Sequence, residues 1–300
     1  RAGDAEGLRR ELALRPELRC KRGRCGGTLL HVAARAGSLA AASAVLDAGA
    51  AWHALDARGA TAGELAFAAG RQELFDLLVA RACTAERGRR GPRPRPPTAA
   101  ERSTAYLQQR LRYEDGKLVD AQGRAVMMGW EAPLMRQHAR ALLPTGSAAD
   151  VLNVGFGLGL VDGYLQQACP RSHTIVEAHP DVLAEMLRRG WQELPGVRVL
   201  RGRWQDAMPA LPAQSLDAIF FDTYEETYAD VHAFAAGAVR LLRPGGRLSF
   251  FNGMAPNNIF YHAVYCRMAQ EDLAQLGLRC DVLPVEVGRL GGETWGGVAR

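Results

Sequence analysis

No apolar run in this 300-residue chain approaches the roughly 18 residues that cross a membrane as a helix. The longest core-like stretches, such as Ile219-Phe220-Phe221, are strand-sized. No Cys-x-x-Cys occurs among the six cysteines, at 20, 25, 83, 169, 266 and 280. No His pair lies near them at zinc-ligand spacing, so no metal site is expected. Scattered single cysteines are expected as reduced core residues of an intracellular protein. Charged residues are not in excess either: they make up 23% against 48% hydrophobic, which excludes wholesale disorder.

The net charge of +5 is unevenly spread. Residues 1–100 hold 17 Lys+Arg and 10 Asp+Glu, so the remainder is slightly acidic. Affinity for nucleic acid, which a basic chain suggests, would rest on the first third alone, and direct nucleic-acid binding is not expected. The larger part suits a cationic ligand at least as well as an anionic one.

What the first third does have is repetition. Thr28-Leu29-Leu30-His31-Val32-Ala33-Ala34 is followed by Gly37, and Thr61-Ala62-Gly63-Glu64-Leu65-Ala66 by Gly70. Both pairs, Thr28/Thr61 and Gly37/Gly70, are 33 positions apart. That period with a Thr-x-Leu-His-x-Ala opening matches the ankyrin signature. Thr28 can cap a helix with Leu30, Ala33 and Ala34 on one face. A second helix is expected from about Leu39 to Asp47, and Asp56 and Gly59 turn the chain into the next unit. Leu8, Leu12, Leu14 and Leu18 suit a capping helical unit ahead of the repeats. The repeats carry no acid–base or nucleophile cluster, and they are expected to act as a docking surface.

Residues 87–97 (Arg-Gly-Arg-Arg-Gly-Pro-Arg-Pro-Arg-Pro-Pro) form a basic, semi-rigid linker. The expected organisation is therefore 1–86 repeats, 87–99 linker and 100–300 a second domain. In that domain, strands are expected at Asp150–Val154, Thr174–Glu177, Val197–Arg201, Asp217–Phe221 and Arg247–Asn252. Helices are expected at Leu160–Cys169, Asp181–Arg189, Tyr228–Leu242 and Ile259–Leu276. The alternation implies a doubly wound parallel sheet, with Asp281–Val287 as an antiparallel edge strand.

Ligands of such sheets bind at the carboxyl ends of the strands. There Val151-Leu152-Asn153-Val154-Gly155-Phe156-Gly157-Leu158-Gly159 runs from a strand into a glycine-rich turn. It fits neither Gly-x-Gly-x-x-Gly nor a phosphate loop, which disfavours a nicotinamide cofactor. Glu177, ending the second strand, can accept two hydrogen bonds from a ribose diol. Gly202-Arg203-Trp204-Gln205-Asp206 after the third offers an aromatic ring and an amide or acid to an adenine. Phe220-Phe221-Asp222-Thr223-Tyr224 puts an acid at the mouth, and Leu242-Arg243-Pro244-Gly245-Gly246 turns into the fifth strand.

This order resembles class I S-adenosylmethionine methyltransferases. More closely, Met127-Met128-Gly129-Trp130-Glu131-Ala132-Pro133-Leu134-Met135, Asn153–Val161, Glu177-Ala178-His179-Pro180, Gly202–Asp206, Phe221–Tyr224 and Phe250-Phe251-Asn252-Gly253 resemble the type IV protein arginine N-methyltransferases. These are relatives of guanidinoacetate N-methyltransferase that carry ankyrin-like repeats. The resemblance covers residues 100–300. It implies an α/β class I methyltransferase fold behind an N-terminal α-helical ankyrin-repeat domain. It implies S-adenosyl-L-methionine as cofactor and methylation of the internal, delta nitrogen of arginine side chains, with ribosomal proteins as the substrate type.

Carried over by position, the resemblance implies that Phe156, Gly157, Leu158, Gly159, Leu160 and Val161 wrap the methionine part of the cofactor. It places Glu177 on the ribose with Ala178 and His179 beside it, Trp204 and Gln205 near the adenine, and Tyr106, Met127 and Met135 as pocket lining. Met127 and Met135 equally suit a core stripe.

Arginine stays protonated with a pKa above about 12, so a transferase must orient the guanidinium and accept a proton. Two carboxylates do both through charge-assisted hydrogen bonds. Glu131 and Asp222 are the candidates: Asp222 at a strand end over the cofactor site, and Glu131 on an N-terminal lid, where it also suits a helix-capping role; the resemblance implies that both hold the guanidino group and that Asp222 accepts the proton. Glu225 and Glu226 suit a solvated loop, or an acidic rim for a basic substrate segment. A guanidinoacetate-type enzyme, a repeat scaffold with a silent methyltransferase-like domain and, distantly, a dehydrogenase remain alternatives. The expected partner is a protein with a basic, arginine-containing segment, and the expected location is cytoplasm and nucleus.

Overall fold

A computed structural model of the chain describes residues 4–88, 104–143, 148–224, 227–253, 255 and 258–287. Internal contacts divide it into two units, one of 1–94 with 252–272 and one of 95–251 with 273–300.

The first unit is helical: Ala5–Leu14, Leu29–Ala36, Leu39–Asp47, Ala62–Ala68 and Gln72–Gly88. Two of these helices open on a threonine. Thr61 Oγ1 accepts the Glu64 amide at 3.1 Å, and the Glu64 carboxylate accepts the Thr61 amide at 2.8 Å. At the other helix start His31 takes that second part, with Nδ1 3.1 Å from the Thr28 amide. Gly37 and Gly70 end their helices at φ 69° and 65°, a conformation that favours glycine. In the leading unit Leu12 is buried, but Leu14 is 78% exposed and adds nothing to the core.

The helix Ile259–Gln275 belongs largely to this first unit. Its Phe260 is fully buried between Trp52 and Phe75, with ring centroids 5.9 Å from each. The two helices cross so closely that a Cβ at Gly63 would lie 2.1 Å from the Phe260 ring. Arg87 adds ion pairs with Glu271 and Asp272. Residues 87 and 88 thus end a helix, and the rest of the expected linker lies outside the described residues.

The second unit opens with a small antiparallel sheet that strand alternation does not announce: β1 (Arg112–Glu114), β2 (Lys117–Val119) and β3 (Ala125–Met128). Its first turn is Asp115-Gly116, both at positive φ, the two-residue hairpin signal. The unit is built on a five-stranded parallel sheet: β4 (Asp150–Val154), β5 (Ser172–Glu177), β6 (Val197–Arg201), β7 (Leu216–Phe221) and β8 (Leu242–Phe250). The order is β6-β5-β4-β7-β8, so the chain reverses direction across the sheet between β4 and β7. Strand alternation explains the two cores. Val151, Ile175 and Phe220 face Leu165 and Val182 on one side. Leu152, Val176, Ile219 and Phe221 face Phe234 and Leu241 on the other.

Two expectations need correction. Asp281–Val287 forms no strand; it is largely exposed, and Pro284 would break a ladder. Cys20, Cys25 and Cys169 are exposed rather than core residues, while Cys83 is buried.

At the amino ends of the strands, Asp150 and Asp217 bind Arg171 and Arg243. Asp150 accepts from Arg171 Nε at 3.0 Å and Arg243 Nη2 at 2.9 Å; Asp217 pairs with Arg243 at 2.7 Å. The Arg171 hydrogen bond foremost, with Ser172 and Arg243, holds the Asp150 carboxyl well below the usual carboxylate range. A depressed carboxylate stabilises the fold above its unfolded pKa near 4, and that contribution fades as pH falls below it. Asp150→Asn should therefore cost about 1–2 kcal/mol at pH 7, since Arg171 is half exposed. The difference from wild type in urea melts should shrink at pH 3; an equal difference at both values would reject the assignment.

Candidate active site

Strand β4 leads directly into Gly155, Gly157 and Gly159, at φ 93°, 54° and 74°. Gly155 has no room for a side chain: a Cβ there would lie 2.0 Å from the Asp222 carbonyl oxygen. Gly159 caps the helix Leu160–Gln167. The turn is fastened from several directions. The Phe156 amide donates to Glu177 Oε2 at 2.8 Å, and Tyr113 Oη to the Gly157 carbonyl at 2.9 Å. The Leu158 amide lies 3.2 Å from Met127 Sδ, and Arg189 Nη1 donates to the Leu158 carbonyl at 2.8 Å. The Arg189 guanidinium also covers the Phe156 ring at 5.5 Å.

Glu177 is buried at the end of β5. Its Oε1 accepts the Ala178 and His179 amides, both at 2.7 Å, which leaves Oε2 with acceptor capacity beyond Phe156. Burial nevertheless raises its pKa, opposed by these three amides.

Asp222 follows β7, and its amide donates to the Val154 carbonyl at 3.1 Å, which places it beside the glycine turn. Glu131 ends the short turn Gly129–Glu131 ahead of the helix Ala132–Leu142. One Glu131 oxygen accepts the Met128 amide at 2.7 Å, so it does cap backbone as well. Burial pushes Glu131 up to about 7, against the pull of that amide. Burial, and then the charge of Glu131, push Asp222 up to about 8. The two carboxylates from distant parts of the sequence thus sense each other at the mouth of the sheet.

The other expected residues fall into two sets. Tyr106 packs against His179 and Tyr224, with ring centroids at 5.0 and 4.7 Å. Met127, Leu158 and Leu160 adjoin the turn, and Gln205 follows Trp204 in the first turn of the short helix after β6. Met135, Phe156 and Val161 are buried in the core on one face of the sheet. Trp204 stands edge-on to Phe221 and Phe234 on the other face, at 5.9 and 5.3 Å. Glu225 and Glu226 lie outside the described residues. Sequence reasoning missed Tyr113 and Arg189. The Asp115-Gly116 hairpin turn would have pointed to the first; nothing local marks the second.

Comparison with known proteins decides the family. The guanidinoacetate N-methyltransferase family model matches residues 102–272. The chain belongs to that family. "Protein arginine N-methyltransferase 2" of Cryptococcus neoformans is 35% identical over 308 residues, covering 92% of this chain and 82% of that protein. The protein of the same name from Aspergillus fumigatus is 42% identical over 234 residues, covering 77% of this chain and 54% of its own length. The chain spans about half the length of several curated relatives it matches.

Family membership implies S-adenosylmethionine, and the donor set fits it. The molecule carries a sulfonium cation, a ribose diol and an adenine. Three carboxylates whose ionisation burial opposes, Glu131, Glu177 and Asp222, sit around the strand ends. Glu177 Oε2 would hold the ribose, and the Gly155–Gly159 backbone the amino-acid end.

Proposed function

We propose that the chain is an S-adenosylmethionine-dependent protein arginine N-methyltransferase that modifies the internal, delta nitrogen. The observation that carries this reading is the desolvated pair Glu131 and Asp222, in which the charge of Glu131 adds to burial in raising Asp222. Such a pair is costly alone and is relieved by a planar cation able to bridge both carboxylates, as a guanidinium does. When bound, the cofactor supplies an activated methyl group on sulfur. Glu131 and Asp222 orient the guanidinium through its terminal nitrogens, leaving the internal nitrogen toward the donor. Asp222 takes the proton that nitrogen releases. Alignment at about 3–3.5 Å accounts for much of the rate.

Both carboxylates must ionise to bind the cation. Their positions at about 7 and about 8 then predict that kcat/KM rises between pH 6 and 9, approaching a hundredfold per pH unit at the acid end. A profile flat across that range would reject the pair.

The direct test incubates the full chain with tritiated S-adenosylmethionine and basic protein extracts, then locates the methyl group by fragmentation. Methyl on lysine or on a carboxylate would reject the reading. The family model's description favours one second reading, a guanidinoacetate-type small-molecule enzyme; faster turnover of free guanidinoacetate than of arginine peptides would select it. The 33-residue period supports reading the helical unit as ankyrin-type repeats that dock the protein substrate. Ribosomal proteins in cytoplasm and nucleus are the substrates this reading names, and the labelled bands test it.

A further inference from the structure

Asn153, Asp162 and His173 are wholly buried, yet each is polar, and the chemistry above uses none of them. They lie on three elements: β4, the helix Leu160–Gln167 and β5. Asn153 Nδ2 donates to Asp162 Oδ1 at 2.7 Å and to the Gly155 carbonyl at 2.9 Å. Asp162 Oδ1 also lies 3.1 Å from His173 Nε2. The Gln166 side-chain nitrogen is 2.8 Å from His173 Nδ1. The Nε2 edge of the ring faces Asp162 at contact distance but makes no hydrogen bond to it. One aspartate oxygen therefore accepts from Asn153 of β4 and touches His173 of β5, and the second hydrogen of Asn153 ends on the first glycine of the turn.

A buried set of this kind is an expensive way to fill space, since apolar residues of similar volume commonly serve stability as well or better. Its far end gives it a different use. Gly155 holds φ 93° with its amide on the Val176 carbonyl at 2.9 Å, and its own carbonyl sets the peptide plane that aims the Phe156 amide at Glu177. The network thus joins two places that a bound donor must touch together: the glycine turn and the end of β5.

We propose that Asp162 is a positioning residue of the methyl-donor site: through Asn153 it fixes the Gly155 carbonyl, and through His173 it ties that carbonyl to β5. This rests on the donor-site reading above and deepens it. The spacing between the turn and Glu177 is then set before any ligand arrives, so the residue acts on donor affinity and not on the transfer step.

The test uses the full chain and three readouts: amide hydrogen exchange of residues 154–160 without ligand, S-adenosylhomocysteine affinity by calorimetry, and kcat at saturating donor. Asp162→Ala should speed exchange of the turn amides and weaken affinity, each by about tenfold or more, with kcat within about threefold. Asp162→Asn keeps an acceptor in place of Oδ1 and should recover most of both losses. Should the alanine variant not fold, Asn153→Ser cuts the link to Gly155 while leaving the Asp162–His173 contact, and should produce the same two changes. Wild-type exchange and affinity in either folded variant would overturn the proposal, as would failure of Asp162→Asn to recover. Absence of S-adenosylhomocysteine binding by the wild type would instead sink the donor reading, while exchange still decides the network.

Discussion

Asp222→Asn should lower kcat by about 10²–10⁴-fold and yet leave a more stable protein above neutral pH. Both effects have one cause. The carboxyl sits near about 8, first through burial and then through the charge of Glu131, against about 4 in an unfolded chain. A raised carboxyl means the folded state holds a proton that the unfolded state has lost. Stability is thus fully present below pH 4 and declines as pH rises to 8. The asparagine variant escapes that decline while losing the proton acceptor. Each pKa unit is worth about 1.4 kcal/mol, but Asp222 is only half-buried at the mouth. A gain of about 1–3 kcal/mol at pH 8.5, vanishing at pH 4, is the expected size. Thermal melts of both proteins at the two pH values check it. A variant equally destabilised at both would mean that Asp222 is structural and that the carboxylate pair is not held in tension for a cation. Glu131→Gln should give the same pattern with a smaller stability gain, because Glu131 has the Met128 amide as partner.

The sheet was legible because its strands are short, apolar and separated by helices. β4 and β6 begin and end where the sequence pattern puts them, and β5 and β7 start one or two residues earlier. That period-2 and period-3.6 signal is local, and local signals survive without tertiary information. Glu131 and Asp222 were singled out for another reason: chemistry restricts which residues can face a guanidinium, and the structure brings Asp222 under the charge of Glu131. Less was readable where contact partners are distant in sequence. The helix Ile259–Gln275 is recognisable as a helix, but nothing in its sequence says that Phe260 packs against Trp52 and Phe75. Gly63 alone hints that something crosses there. The small antiparallel sheet was missed because its strands have three or four residues, too few for alternation to register. The burial of Asp162 could not have been found, since a polar residue on an amphipathic helix reads as solvent-facing until the fold buries it.

Gly155→Ala should be the most damaging small substitution in the second unit. Alanine at φ 93° is strained in its own backbone. Its methyl would also lie 2.0 Å from the Asp222 carbonyl oxygen, well inside van der Waals contact. That neighbour is main chain just beyond β7, hydrogen-bonded to Val154, so it cannot swing away as a side-chain tip would. Relief requires the turn, or the residues after β7, to give way. Either movement separates the donor site from the proton acceptor. Stability should fall by about 2–4 kcal/mol, and S-adenosylhomocysteine affinity by about a hundredfold or more. Gly163→Ala provides the contrast. Gly163 lies inside the helix Leu160–Gln167, and a methyl group there would meet nothing within 4 Å. Alanine at that position should stabilise by up to about 1 kcal/mol and leave affinity unchanged. Two identical chemical changes eight residues apart, with opposite signs, isolate steric fit at Gly155 from any general effect of losing a glycine. Chemical denaturation and calorimetry on the two variants measure both quantities. Equal affinities would show that the turn tolerates displacement and that the donor is held elsewhere.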